Sequence, residues 1–230
     1  MCIHPCLRMV FVDTGPGGMD NTMHGLRSMS VSARRYWEMS DQLLVRGWVL
    51  VSRLAFVRAR WGDTAVEEIL ARLSPQDRAV WTQVDINEWY ELRMIERFEK
   101  QVVRYSGEDE LRLYEQMGEF SADRAFDPDT GHYRRFLGKP PELFLKLAAA
   151  WQNEYYSTGL TEYYPTGVTS CMIRTRYIPY TTRSNCRSNL GFFRRSIEIL
   201  NGRNVRAEER RCLLDGDAWC EFHFQWEYPE

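Results

Sequence analysis

The chain lacks the short motifs that accompany common active sites. It contains no glycine-rich phosphate loop, no Gly-x-Ser-x-Gly elbow and no His-Glu-x-x-His pair. Histidine is scarce, with four in the whole sequence, and neither His132 nor His223 has a recognisable catalytic partner. Because catalysis requires a positioned acid, base or nucleophile, we predict that the protein is not an enzyme. An active site assembled from residues distant in the sequence leaves no such motif, so that alternative stays open.

The chain also has little net charge and no long apolar run. Its formal net charge is −2, and it shows no basic stripe of the kind that binds nucleic acid. No apolar run approaches the roughly 18 residues of a transmembrane helix, and the first residues lack the layout of a secretory signal. We therefore expect no nucleic-acid partner, no membrane partner and a cytoplasmic location. In a reducing compartment, clustered cysteines favour a metal site over a disulfide.

The composition is that of a globular protein. Apolar residues make up 44% of the sequence and aromatic residues 13%, which is enough to build a core. The first residues are rich in Gly, Met, Asn and Ser and show no apolar period. We predict a flexible N-terminal tail over residues 1–44 and one domain over residues 45–230.

The order of helical and strand-like patterns predicts an α+β fold. Apolar residues first recur at helical spacing, and the last third of the chain turns to β-branched and aromatic residues that alternate. N-terminal helices should therefore pack on a small antiparallel sheet, followed by a C-terminal strand-helix-hairpin unit. The predicted helices run from Gly47 to a stop at Gly62, from Asp85 to Gly107, from about Asp109 to Arg124, from Pro140 to Gly159 and from Cys186 to Leu200. Two further helices are predicted to begin at Thr64 and at Ser74. Strands are predicted within 168–180 and over 204–214 and 218–227.

Two cysteines flank the turn of the predicted hairpin. Cys212 and Cys220 lie symmetrically about Gly216, so they should face each other with Cβ atoms roughly 4.5–5.5 Å apart. Both sulfurs could then reach one tetrahedral zinc ion. Two alternatives remain, a pair of buried free thiols and a disulfide.

The spacing of four residues carries a resemblance. The segment from Cys212 to Phe222 resembles the end of the 4-vinyl-reductase domain, a small-molecule-sensing module of bacteria and archaea that includes the sensor domains of phenol-responsive activators. Those sensors hold zinc through a Cys, a Glu-x-x-Cys and a further Cys eight positions on. Here Cys186, Glu209, Cys212 and Cys220 follow one another at intervals of 23, 3 and 8 residues. The resemblance implies a Zn²⁺ cofactor held by these four side chains.

This ligand set makes two structural demands. Glu209 and Cys212 would face opposite sides of a regular strand, so a bulge near Arg210 is needed to bring both to one ion. Cys186 should lie in the first turn of the last helix, where the helix dipole stabilises a thiolate. A metal ion would then tie this helix to the hairpin.

A second resemblance covers the helical half. This half of the chain resembles an uncharacterised family of myxobacterial paralogues. The matching points include Glu88-Trp89-Tyr90, Gly118 and the aromatic-rich segment that ends at Gly159. The wider fold is similar to the small subunits of the TRAPP tethering complex, which implies an apolar channel between sheet and helices. The residues expected to line a ligand pocket there are Trp151, Tyr155, Tyr156, Tyr163 and Tyr164, with ordinary packing as the alternative.

These observations lead to one functional hypothesis and its alternatives. We predict a zinc-stabilised, non-catalytic module that senses a small apolar or aromatic molecule and signals through a protein partner or a homodimer. The first alternative is a scaffold or dimerisation module without a small ligand. The second is an accessory protein in a biosynthetic pathway.

Overall fold

The computed structural model describes residues 43–177 and 180–229. Of the predicted tail, only Leu43 and Leu44 belong to this part, and Leu43 is fully buried. The rest of the predicted tail lies outside the described residues. Residues 41–230 group into one compact unit.

The helices of the described part follow the apolar periodicity of the sequence. The first one bends where the sequence predicts a stop, because Gly62 adopts φ 85°, a conformation that glycine favours. Ser74 caps the second helix by accepting a hydrogen bond from the Asp77 N–H at 3.1 Å. The helices are α1 (Gly47–Ala71), α2 (Pro75–Trp81), α3 (Leu92–Ser106), α4 (Glu110–Ala125), α5 (Pro141–Ala150) and α6 (Arg183–Ile199). Within the described ranges, no helix is both long enough and apolar enough to cross a membrane.

The described strands form two antiparallel sheets. A small ribbon pairs β1 (Leu44–Arg46) with β2 (Trp89–Glu91). The larger sheet has the order β3-β4-β6-β5, and its alternating pattern turns the buried residues of β4 and β6 towards the helices. Its strands are β3 (Leu160–Gly167), β4 (Ser170–Arg176), β5 (Arg203–Arg211) and β6 (Cys220–Glu227).

The predicted α+β class is confirmed, with two local differences. The helix expected from Asp85 begins only at Leu92, because residues 89–91 pair with β1 instead. The helix expected to reach Gly159 ends at Ala150, and strand β3 follows at Leu160. In both places, hydrogen bonds to distant strands override the local helical pattern.

Helices α4 and α6 pack unusually close together above the sheet. A Cβ atom added at Gly118 would lie 2.0 Å from the Ser188 carbonyl oxygen, and one at Gly191 would lie 2.1 Å from the Glu115 carbonyl oxygen. Only glycine allows this approach at both crossing points. The close contact fixes α6 between α4 and the sheet, where it borders both candidate sites described below.

Candidate functional site

A cavity of about 120 Å³ lies between the larger sheet and helices α1, α4 and α6. Aromatic rings form much of its wall, and polar groups are interspersed among them. The lining residues are Trp48, Val49, Arg53, Gly118, Ser121, His132, Tyr133, Ala148, Gln152, Tyr155, Tyr156, Thr161, Thr175, Tyr177, Ser188, Asn189, Phe192 and Phe193.

Several aromatic side chains of the cavity wall contact one another. The Tyr133 hydroxyl donates to the Tyr155 hydroxyl at 2.8 Å. The His132 ring lies 4.8 Å from Trp48 and 4.1 Å from Tyr133, measured between ring centroids. Part of His132 stays exposed, yet burial of the imidazole among these rings lowers its pKa to about 4. His132 is therefore neutral at physiological pH.

The charge that borders the cavity is already neutralised. The Arg53 Nε donates to Glu99 at 2.6 Å, and both side chains are buried. Its other nitrogens donate to the hydroxyls of Ser121 at 3.0 Å and Ser188 at 2.8 Å. Arg53 thus joins α1 to α3, α4 and α6 and presents little free charge to a ligand.

Two polar atoms among the cavity-lining residues have no hydrogen-bond partner. They are the Gln152 Oε1 and the Thr175 Oγ1, and both are buried. The Gln152 Nε2 donates to the Thr158 carbonyl at 3.2 Å, which fixes the amide. A buried acceptor without a partner is unfavourable, so these two positions mark where a bound molecule would gain hydrogen bonds.

The structure brings two of the five predicted pocket residues to the cavity, Tyr155 and Tyr156. Trp151 lies outside it, stacked on Tyr133 at 6.2 Å. Tyr163 sits on the inner face of β3 and packs in the sheet core. Tyr164 is on the outer face, with Arg174 5.3 Å above its ring.

Sequence reasoning did not select several residues of this cavity, among them Arg53, His132, Gln152 and Thr175. A signal existed for Thr175, because the alternation in β4 places it on the same face as Cys171 and Ile173. No comparable signal existed for Arg53, since its partners come from three other helices.

The four predicted metal ligands meet at one point. Donor atoms of Cys186, Glu209, Cys212 and Cys220 all lie within 4.8 Å of one another. The Sγ of Cys186 is 3.4 Å from that of Cys220 and 3.9 Å from that of Cys212. These cysteines are free thiols, so the disulfide alternative does not describe this structure.

Both structural demands of the ligand set are met. The pairing of β5 with β6 shifts register between Glu209 and Arg211, which confirms the predicted bulge near Arg210. Cys186 lies in the first turn of α6, which begins at Arg183. The hairpin turn itself is longer than predicted, because a short 3-10 helix spans Leu213–Asp215.

Burial and hydrogen bonding shift the pKa values of this cluster, and the Arg187 Nη1 lies 3.7 Å from the Glu209 Oε2. Burial raises the pKa of Glu209 to about 7, and its Oε1 has no hydrogen-bond partner. Hydrogen bonding with the other two thiols lowers the pKa of Cys220, and the Leu213 N–H also donates to its sulfur at 3.4 Å. The same contacts raise the pKa of Cys186. The cluster thus combines a stabilised thiolate with a buried carboxyl group, a donor set that suits a thiophilic metal.

Comparison with known proteins gives a likeness in fold alone. No protein-family model and no curated protein matches the chain. The chain resembles the unliganded Fe(II) H-NOX protein from K. algicida, with a TM-score of 0.61, 13% identity and coverage of 80% of this chain and 97% of that one. It also resembles an H-NOX protein from S. oneidensis in the Fe(II)NO ligation state, with a TM-score of 0.61, 13% identity and coverage of 79% and 99%. A third is an oxygen-binding H-NOX domain related to soluble guanylate cyclases, with a TM-score of 0.60, 14% identity and coverage of 80% and 96%.

These comparisons correct two predictions. The recognition of a 4-vinyl-reductase domain, with its phenol-sensor, TRAPP and myxobacterial relatives, is wrong, because the fold matches H-NOX domains. Zinc as the cofactor is wrong as well, since the matching structures are described as Fe(II) proteins. The physical reason is that the cysteine intervals constrain one corner of the molecule. They fix a donor set without fixing the surrounding helix packing or the identity of an ion.

Proposed function

We propose that the protein is a non-catalytic module that senses a small molecule in the cavity between the larger sheet and helices α1, α4 and α6. The observation that carries the proposal is the cavity itself, with its aromatic wall and its two unpartnered acceptors. A concave, mostly apolar site with a few polar groups is typical of small-molecule binding. The likeness to H-NOX domains, one of which is described as oxygen-binding, supports a sensory role.

The residues of the cavity do not fit a haem group, although the description of one similar H-NOX structure refers to haem. The cavity of about 120 Å³ is well below the roughly 300–1,000 Å³ of sites for drug-sized ligands. A haem also needs an axial ligand, and the one histidine among the lining residues, His132, is an exposed residue beside Trp48 and Tyr133. Because Arg53 is paired with Glu99, it is not available to a haem carboxylate. The ligand proposed here is smaller.

The volume and the aromatic wall favour a compact apolar or aromatic ligand. A cavity of roughly 150 Å³ lined by apolar side chains accepts benzene, so the present one suits a molecule of about that size. Aromatic rings such as Tyr133 and Phe192 offer edge and face contacts to such a ligand.

Helix α6 is the element through which occupancy of the cavity would reach a protein partner. Ser188, Asn189 and Phe192 line the cavity, and Cys186 lies one turn earlier, in the thiol cluster. A ligand that contacts one face of α6 biases its position against α4 and the hairpin. The ligand can shift the equilibrium between two positions of α6 only if it binds more tightly to the protein in one of them.

The proposal is tested by blocking the cavity. We expect compact aromatic compounds to raise the Tm of the wild-type protein, since a ligand at 100 times its Kd stabilises by about 2.7 kcal/mol. Ala148→Phe places a ring in the cavity and should abolish this rise. Ala150→Phe, two residues on and exposed, is the matched control and should retain it. A screen in which no compact compound raises the wild-type Tm contradicts the proposal.

We also propose that Cys186, Glu209, Cys212 and Cys220 bind one thiophilic metal ion that ties the start of α6 to the hairpin. The support is the convergence of four donor atoms within 4.8 Å, at the span of a single coordination sphere. Protein purified without a metal-binding tag should carry about one transition-metal ion per chain. Cys212→Ser should lose the ion and stability together, whereas Cys171→Ser, a buried cysteine outside the cluster, should keep the ion. Unchanged stability and metal content in Cys212→Ser would exclude the site.

A further inference from the structure

Two polar atoms among the cavity-lining residues lack a hydrogen-bond partner, and they indicate which chemical groups a ligand would present to them. The Gln152 side chain is buried to all but 7% and Thr175 to all but 1%, and neither Gln152 Oε1 nor Thr175 Oγ1 has a hydrogen-bond partner. Buried polar groups in folded proteins are nearly always satisfied. Two exceptions among the residues of one cavity therefore point to a molecule that satisfies them.

The position of each atom is fixed by its surroundings. The Gln152 amide donates from Nε2 to the Thr158 carbonyl at 3.2 Å, so Oε1 is the atom left to accept. Gly159 packs against this amide, and a Cβ atom there would lie 2.8 Å from Nε2. Thr175 lies on the inner face of β4, opposite Thr161 on one side and Cys220 on the other.

Several other polar groups around the cavity already have partners. The Tyr156 hydroxyl donates to the Asn185 Oδ1 at 2.9 Å, and the Asn189 Nδ2 donates to the Tyr177 hydroxyl at 2.8 Å. Ser188 donates to the Tyr114 carbonyl at 3.0 Å. At Gln152 the atom without a partner is the acceptor Oε1, and the Thr175 hydroxyl can accept a hydrogen bond as well as donate one.

We infer that the ligand of this cavity is a compact aromatic molecule that carries an N–H or O–H donor, received by Gln152 Oε1 and Thr175 Oγ1. The inference rests on the proposed function and narrows it. The aromatic wall holds the ring, and the two acceptors select for the donor. A hydrocarbon of the same shape leaves both acceptors unsatisfied and binds less well, since a site built to hydrogen-bond a polar group discriminates against analogues that lack it.

The test compares aniline with toluene, which have nearly the same shape and differ in the donor. Binding of each to the full chain is measured by calorimetry and by ligand-observed NMR. We expect the wild-type protein to bind aniline about tenfold more tightly than toluene, the effect of one net hydrogen bond. Thr175→Val, which removes the hydroxyl at constant shape, should weaken aniline binding by severalfold and leave toluene binding unchanged or improved. Gln152→Met should likewise weaken the binding of aniline more than the binding of toluene.

The outcomes separate this inference from the proposed function. Equal affinity for the two probes in the wild-type protein overturns the donor selectivity and leaves the cavity standing as a ligand site. If Thr175→Val weakens the binding of aniline and of toluene to the same extent, the donor selectivity is likewise overturned and the cavity still stands as a ligand site. Failure of both probes to bind overturns the inference together with the cavity. Because the wild-type comparison needs no variant, poor folding of Thr175→Val does not remove the test.

Discussion

The buried ion pair between Arg53 and Glu99 gives the sharpest prediction for stability. Their side chains are exposed by only 6% and 1%, and Arg53 also donates to hydroxyls on α4 and α6. Glu99→Gln removes the negative charge and keeps the shape of the side chain. The guanidinium then stays buried at the centre of the helices without a counter-charge.

The expected cost is about 3–5 kcal/mol, the range found when one partner of a buried pair is removed. We place Glu99→Gln near the lower end, because the amide oxygen can still accept a hydrogen bond from the Arg53 Nε. A domain of this size is stable by about 5–15 kcal/mol, so the variant loses a large share of its stability. The double variant Arg53→Met and Glu99→Met removes both charges and should be less destabilised than Glu99→Gln.

Urea unfolding followed by circular dichroism measures these differences. Glu208→Gln is the matched control, because Glu208 pairs with Arg210 on the surface with 63% of its side chain exposed, and such pairs contribute about 0–1 kcal/mol. If Glu99→Gln changes the free energy of unfolding by no more than the control does, the pair does not organise the helices as described.

Three further predictions concern the helix crossing and the aromatic cluster. Gly191→Ala should destabilise by about 1–3 kcal/mol in urea unfolding, because its Cβ would press on the Glu115 carbonyl; wild-type stability would refute the close approach. His132 should contribute a fall in the free energy of unfolding as pH decreases from about 6.5 towards 4, because the unfolded chain takes up a proton that folded His132, with its pKa lowered to about 4, excludes. Glu209, with its pKa raised to about 7, acts in the opposite sense, so the contribution is measured as the difference between the wild-type protein and His132→Gln. Partial exposure of the ring keeps this effect below its full value, and His132→Gln should remove it; an NMR titration that gives His132 an ordinary pKa would contradict it. Tyr155→Phe should cost more stability than Tyr133→Phe, since it leaves the buried Tyr133 hydroxyl without its acceptor, and equal costs would argue against this hydrogen bond.

The sequence predicted the parts of the fold that local rules govern. Periodicity located most helices, Gly62 marked a real interruption, and Ser74 with Pro75 marked a real helix start. The two misplaced boundaries depend on pairing between distant segments. Residues 89–91 are strand only because β1 lies beside them, and β3 exists as an edge strand of a sheet built mainly from residues after 168.

The two candidate sites differ in the same way. The thiol cluster lies within about 35 residues of chain, so the facing of Cys212 and Cys220 followed from their spacing about the turn, and the full set of four followed from the resemblance that their intervals carry. The cavity draws on α1, α4, α6 and the sheet, and its polar residues become recognisable only when their partners are known. Family recognition failed because it relied on the cluster, whereas the likeness to H-NOX domains extends over about 80% of the chain.

The order of the larger sheet has a consequence for how copies of this chain meet. Its two outer strands, β3 and β5, carry features that discourage pairing with a further strand. Most of the nine residues of β5 are charged, and β3 contains Pro165, where its pairing with β4 becomes irregular. Growth of the sheet from one molecule to the next is thus disfavoured at either edge. A homodimer of this domain would accordingly meet through side chains of its helices or loops, and the domain should resist the strand-to-strand aggregation that exposed sheet edges promote.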